Sequence, residues 1–140
     1  MERLDALLYG FSFYAYLGSF ILYILHIALK KEVLGKVATG VAAIGILPHV
    51  GAIATRWVQQ GHVPLANMYE YMGLMSLMVV VGLIAFVIRY RNTRIGVFLV
   101  PIAVMLMVTA SLLPSDVNRQ LMPALQSTWL AIHVSLAALG

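Results

Sequence analysis

From Met68 to Ile88 the chain reads MYEYMGLMSLMVVVGLIAFVI, a run whose only charged residue is Glu70, and RYRNTR follows at once. A helix of about 20 apolar residues crosses the roughly 30 Å hydrocarbon core of a bilayer, and arginines at its end mark the return to water. Working outward from this run, comparable stretches lie from about Leu4 to Leu29, Val37 to Thr55 and Ile95 to Leu113. A fifth begins near Pro123 and is still apolar at Gly140. The first stretch is rich in aromatic residues (Tyr9, Phe11, Phe13, Tyr14, Tyr16, Phe20, Tyr23) and stops at Lys30-Lys31-Glu32. It is too long and too weakly basic at its start for a cleaved signal peptide, and no small-x-small cleavage site follows it. The 140 residues are 62% hydrophobic and 10% charged, where water-soluble domains carry about 25% charged residues. The expectation is an all-α polytopic membrane helix bundle, one transmembrane domain with spans at about 4–29, 37–55, 68–88, 95–113 and 123–140. The first four are full spans; the fifth is short or truncated, as in the N-terminal part of a longer protein. No soluble catalytic domain fits between them.

The formal charge is +4, with no basic run beyond Lys30-Lys31 and no polar groove for a phosphate backbone, so nucleic acid is not an expected partner. The positive charge reads as topology instead. Lys30, Lys31 and Lys36 separate the first two spans, and Arg89, Arg91 and Arg94 separate the third and fourth; the other side holds Arg3, Arg56 and Arg119. Cytoplasmic loops carry the excess of Lys and Arg, so the N-terminus and the loops at about 56–67 and 114–122 are expected to face outward, the periplasmic side in a bacterium. The absence of cysteine from the chain excludes disulfides, thiolate metal sites, iron–sulfur ligation and a cysteine nucleophile. Ser111, Ser115, Ser127 and Ser135 show no nucleophile elbow, and neither paired carboxylates nor a phosphate-binding glycine loop is present.

Ionisable groups inside a membrane are costly and point to function, which singles out the four histidines. His26 falls near the cytoplasmic end of the first span, where a snorkelling interfacial role is expected. His49 lies in the outer half of the second span beside Pro48, which removes a backbone hydrogen bond and kinks the helix, as Pro101 does in the fourth. His62 belongs to an outer loop. His133 sits roughly 13 Å down the fifth helix, and Gln126, Trp129, Leu130 and His133 share one face. Trp129 and His133 could embrace a flat aromatic ligand with the imidazole on a metal; an interfacial Trp and a histidine bonded to a neighbouring helix is the plainer reading.

Arg56 lies two turns from His49 on the same face, either as part of a pocket for a carboxylate or propionate or as an interface anchor. Asn67 and Glu70 have the spacing of a reciprocal helix cap, approached through Pro64. Met68, Met72 and Met75 form a stripe that offers thioether ligands or packing filler. His49 and His62 approach the spacing of a di-haem cytochrome helix, but Arg56, Gln59, Gln60 and Gly61 intervene, so both cannot lie within one span.

Two stretches together carry a resemblance. Arg56-Trp57 with Gly61-His62-Val63-Pro64-Leu65-Ala66-Asn67-Met68-Tyr69-Glu70, and Met122-Pro123-Ala124-Leu125-Gln126-Ser127-Thr128-Trp129-Leu130-Ala131-Ile132-His133-Val134, resemble the R-W…G-H-x-P-x-x-N-x-Y-E and L-x-P-x-L-x-S-x-W-L-x-x-H-V segments of the System II cytochrome c assembly proteins. These are the CcsA/ResC-type haem-handling proteins. The resemblance covers roughly Pro48 to the end of the chain. It implies reception of non-covalent b-type haem in the membrane and its presentation at the outer face, where apocytochrome c thiols join its vinyl groups, alongside a ResB-type membrane partner.

By that resemblance His133 is one of two outer axial histidines flanking a tryptophan-rich segment that this sequence, up to Gly140, does not contain. His49 or His62 then offers a substitute ligand, and Trp129 and Arg56 complete the candidate cofactor contacts. Alone the chain is at most part of a haem-attachment complex. The contrasting reading is a non-catalytic membrane scaffold, or a subunit that contacts haem b or quinone in a respiratory-type complex. The expected location is the bacterial cytoplasmic membrane.

Overall fold

A computed structural model describes residues 2–61, 65, 67–113, 132–133 and 136–137, and among them every regular element is helical. Four helices follow in order: α1 (Glu2–Leu29), α2 (Glu32–Gln60), α3 (Met68–Tyr90) and α4 (Gly96–Ser111). Each packs on its chain neighbour, and α4 returns to α1, closing a four-membered ring of helices. In a bilayer the backbone must satisfy its own hydrogen bonds, and an uninterrupted helix does so within one segment. This makes the chain a membrane protein of several apolar helices.

The lengths of the helices correct the expected spans. α1, α2 and α3 are long and apolar enough to cross a membrane, whereas α4 has 16 residues, roughly 24 Å at 1.5 Å per residue, short of the hydrocarbon core. The expected fourth span at 95–113 is therefore trimmed at both ends. α2 runs beyond the expected 37–55 at both ends and continues through Pro48, so Arg56 and Gln60 belong to the helix and not to a loop. The expected fifth span lies outside the described residues, apart from helical turns at 132–133 and 136–137.

Local chemistry sets where the helices stop. Glu32 opens α2 with a carboxylate against the positive end of the helix dipole, and the Asn67 side chain caps α3 by accepting from the Glu70 N–H at 2.9 Å. Lys30, Gly61 and Arg91 hold left-handed backbone at the helix ends, and the N–H groups of Gly61 and Arg91 bond back to the Trp57 and Val87 carbonyls. The exposed Lys30, Lys31, Lys36, Arg89, Arg91 and Arg94 all gather at the end of the bundle that holds the α1–α2 and α3–α4 connections.

The interior combines small and polar side chains with an apolar cluster that includes Val80, Leu83, Val100 and Met107, and the exterior is apolar. Along α2 the buried residues are Gly35, Ala38, Ala42, Gly45, His49, Ala52 and Arg56, alternating three and four apart as in left-handed helix packing. α1 answers with Asp5, Ser12, Tyr16, Ser19, Tyr23 and His26. Outside stand Leu7, Phe11, Ile44, Leu47, Val58, Ile88, Phe98 and Met105, as expected where lipid is the solvent. With no hydrophobic force to draw helices together in lipid, close backbone approach and interhelical hydrogen bonds do so. Ser19 donates to the Ala38 carbonyl at 2.8 Å, Ser76 to the Ala103 carbonyl at 2.9 Å, and the Tyr23 and Thr39 hydroxyls meet at 2.7 Å.

Two glycines make room for the large α1 side chains. A Cβ at Gly45 would lie 2.7 Å from the Tyr16 ring, and one at Gly96 would overlap the Tyr23 ring. Gly45→Val and Gly96→Val should each destabilise the bundle by about 1–3 kcal/mol through overpacking. Gly82, with nothing near its Cβ position, should gain about 0.5–1 kcal/mol as Gly82→Ala. Unfolding followed by circular dichroism in mixed micelles distinguishes the two outcomes.

Candidate functional site

The end of the bundle opposite the lysines and arginines holds its buried charges. Arg56, one turn from the end of α2, is only 6% exposed. Its Nη1 donates to Asp5 Oδ2 of α1 at 3.0 Å, and its Nε to Glu70 Oε1 of α3 at 3.4 Å. The guanidinium carbon lies 4.5 Å from the centre of the Tyr69 ring, close enough for a cation–π contact. Gln60 Nε2 makes a short hydrogen bond to the same Glu70 oxygen. One cation thus joins three helices, and two carboxylates face it. Burying an ion requires such partners, because an isolated charge in a low-dielectric interior costs far more than its contacts return.

Below this network lies His49, fully buried. Its Nδ1 is 3.2 Å from the Tyr16 hydroxyl, and the Tyr9 ring meets its edge with centroids 5.6 Å apart. The Tyr9 hydroxyl in turn donates to the Met107 carbonyl of α4 at 3.3 Å. His49 Nε2 is buried with no hydrogen-bond partner of normal geometry. Beside the ion network is a cavity of about 190 Å³ lined from α1, α2, α3 and Leu65 of the α2–α3 connection, with Asp5, Arg56 and Glu70 among its polar residues and Tyr9, Ile53 and Leu74 among its apolar walls.

The sequence-based candidates fare unequally. Arg56 and His49 do share one face of α2, as their spacing requires, and Arg56 lines a cavity. The expected propionate would have to compete there with Asp5 and Glu70. His26 is not a snorkelling residue: it is 2% exposed, and its Nδ1 lies 2.8 Å from the Lys31 carbonyl, which can only accept. Nδ1 therefore carries the proton, and in the neutral ring Nε2 accepts from the Thr93 hydroxyl at 3.2 Å. The ring ties the α1–α2 turn to the α3–α4 connection. The Asn67 half of the anticipated cap is present, while the Glu70 carboxylate reaches Arg56 and Gln60. Met68 is exposed and Met72 and Met75 half-buried. His133 is exposed, and His62 and Trp129 lie outside the described residues.

Sequence reasoning missed Asp5, Tyr9, Tyr16 and Tyr69. The legible signal was in α1, where Asp5, Ser12, Tyr16, Ser19, Tyr23 and His26 recur at spacings of three, four or seven residues and would place the polar groups of an apolar helix on one face.

The cavity also bears on a haem group. Its 190 Å³ falls below the roughly 300–1,000 Å³ of ordinary ligand pockets, and His49 is walled in by Tyr9 and Tyr16. This cavity therefore does not fit a porphyrin. No cluster of three or more His, Asp or Glu side chains suited to a metal occurs among the described residues.

Arg56→Met should cost about 3–5 kcal/mol by leaving Asp5 and Glu70 buried without their cation. Combining it with Asp5→Asn and Glu70→Gln should recover most of that loss. Equilibrium unfolding of the single and triple variants in the same micelles provides the comparison.

Comparison with known proteins supports the two sequence motifs. No family model matches the chain, and no solved structure matches it. The chain is 31% identical to the cytochrome c biogenesis protein CcsA of Gloeobacter violaceus over 144 aligned positions, covering the whole chain and 43% of that protein. It is 36% identical to CcsA of Trichormus variabilis over 110 positions, 76% of the chain and 30% of that protein. With CcsA of Aethionema grandiflorum it shares 35% identity over 94 positions, 64% of the chain and 29% of that protein. The chain thus spans less than half the length of these relatives, and over that span it belongs to the CcsA-type cytochrome c biogenesis family.

Proposed function

We propose that the chain is the membrane-embedded bundle of a CcsA-type haem-handling protein, which positions haem at the outer face of the membrane for attachment to apocytochrome c. The observation that carries this reading is the match along the whole chain to CcsA, a cytochrome c biogenesis protein. When bound, haem supplies the vinyl groups to which apocytochrome thiols are joined; the chain supplies ligation, orientation and access. His133 is the candidate axial ligand to the iron, being exposed and hence approachable from outside the bundle. Trp129 and His62 are proposed contacts beside it. His49 and Arg56 act from within, as the rigid polar core on which the outer surface rests. The remainder of the site, and a ResB-type partner, belong to the full assembly. The competing scaffold or quinone-contacting subunit has no comparable support among the relatives.

The orientation follows from charge. Arg56 is buried and internally paired, so it drops out of the loop count, and the exposed basic residues of the α1–α2 and α3–α4 connections dominate. The N-terminus and the Arg56 network then face outward, on the same side as the proposed haem surface, in a cytoplasmic membrane.

Two measurements test this reading. Because the chain has no native cysteine, Arg3→Cys should react with an impermeant maleimide in intact cells, and Lys36→Cys only after permeabilisation. His133→Ala should remove most of the Soret absorbance and pyridine haemochrome signal of the protein purified with its partner, with far-ultraviolet circular dichroism unchanged. An unaltered haem content would exclude His133 as the ligand.

A further inference from the structure

The end of the bundle opposite the Arg56 network is built from two short connections, and one imidazole ties them together. His26 Nδ1 donates to the Lys31 carbonyl at 2.8 Å, and its Nε2 accepts from the Thr93 hydroxyl at 3.2 Å. Thr93 packs so closely on the first turn of α2 that a Cβ at Gly35 would lie 2.5 Å from its Oγ1. The chain neighbours of this contact are cations. Lys36 follows Gly35 and Arg94 follows Thr93, with Lys30, Lys31, Arg89 and Arg91 a few residues away. All six are exposed, none forms an ion pair among the described residues, and Glu32 is the one described carboxylate at this end. Folding thus gathers two basic triads into one patch whose charges repel one another, and an anion relieves that repulsion.

The setting of the patch selects the anion. Just inside the cations stand exposed apolar side chains: Val37 beside Lys36, Ile88 beside Arg89, and Phe98 one turn from Arg94. Tyr90 is 64% exposed and has the Arg89 guanidinium 5.6 Å from its ring centre, a pairing suited to the headgroup level of a bilayer. A soluble anion meets only the charges, whereas a phospholipid meets both the cations and the apolar surface beneath them. We propose that this end of the bundle is a docking surface for an anionic membrane phospholipid. Its phosphate is bound by cations from both connections, Lys36 and Arg94 foremost, and its acyl chains lie on apolar side chains such as Val37 and Ile88. Gly35, Thr93 and His26 hold the two connections together, so the site depends on the fold as well as on the number of positive charges. It stands without the haem reading.

The test equilibrates the immobilised chain in micelles with an equimolar mixture of phosphatidylglycerol and phosphatidylcholine, then extracts and quantifies the retained lipid. Phosphatidylglycerol should be retained preferentially, and the preference should vanish near 1 M salt, where the screening length falls to roughly 3 Å. Lys36→Gln combined with Arg94→Gln should lower the preference about 25-fold, roughly fivefold for each cation near a membrane surface. Gly35→Val drives the connections apart without removing a charge and should lower it as well. Glu32→Gln removes the opposing carboxylate and should raise it about fivefold, a gain that misfolding cannot produce.

Four results overturn the proposal: equal retention of both lipids by the unmodified chain, an unchanged preference in the Lys36/Arg94 variant, an unchanged preference in Gly35→Val, or displacement of phosphatidylglycerol by inorganic phosphate at equal ionic strength.

Discussion

One guanidinium buried in an apolar bundle constrains most of what surrounds it. Arg56 lies inside α2 with its side chain 7% exposed, and its charge is tolerable only where oxygen atoms from other helices reach it. Asp5 comes from α1 and Glu70 from α3, so the need for neutrality fixes the relative height of three helices at one end. The cap that starts α3 serves the same end: Asn67 takes the backbone N–H of Glu70 and so sets where the Glu70 carboxylate emerges. A cavity adjoins this arrangement, with Asp5, Arg56 and Glu70 in its lining.

Away from that end the same bundle is held by smaller means. Gly45 of α2 and Gly96 of α4 allow Tyr16 and Tyr23 of α1 to sit against the neighbouring backbone, and hydroxyls of Ser19, Ser76, Tyr9 and Tyr23 bond across helix pairs. Each bond is worth little by itself, near 0.6 kcal/mol in membrane bundles, but they recur at successive levels. At the opposite end His26 closes the arrangement by bonding both connecting segments. The histidines thus divide by role: His26 and His49 are interior hydrogen-bonding elements, whereas His133 is exposed and approachable. That division favours ligand chemistry at the surface of the bundle over its core, in keeping with an interior cavity too small for a porphyrin.

The buried network of Asp5, Arg56 and Glu70 ties α1, α2 and α3 together at one end, while His133 is exposed.

Much of this was legible from residue order alone. The apolar runs around Tyr71–Ile88 and Phe11–Leu29 required membrane helices, because no other structure satisfies their backbone in lipid; the two motifs around Asn67 and His133 pointed to the CcsA family. Other features needed the folded chain. The continuation of α2 past Thr55 to Gln60 was hidden because Arg56, Gln59 and Gln60 read as the end of a span when the neighbouring helices that pair Arg56 and Gln60 are unseen. The partners of Arg56 were hidden because Asp5 lies 51 positions away, and periodicity within one helix says which face is buried but not which residue on another helix it meets. Sequence determined that these segments are helices in a membrane and which face of each is polar, since both follow from local hydropathy. Tertiary structure alone decided that His26 is interior, that Arg56 is already neutralised and that Asp5 keeps an unmet oxygen, since each depends on contacts between segments distant in the chain.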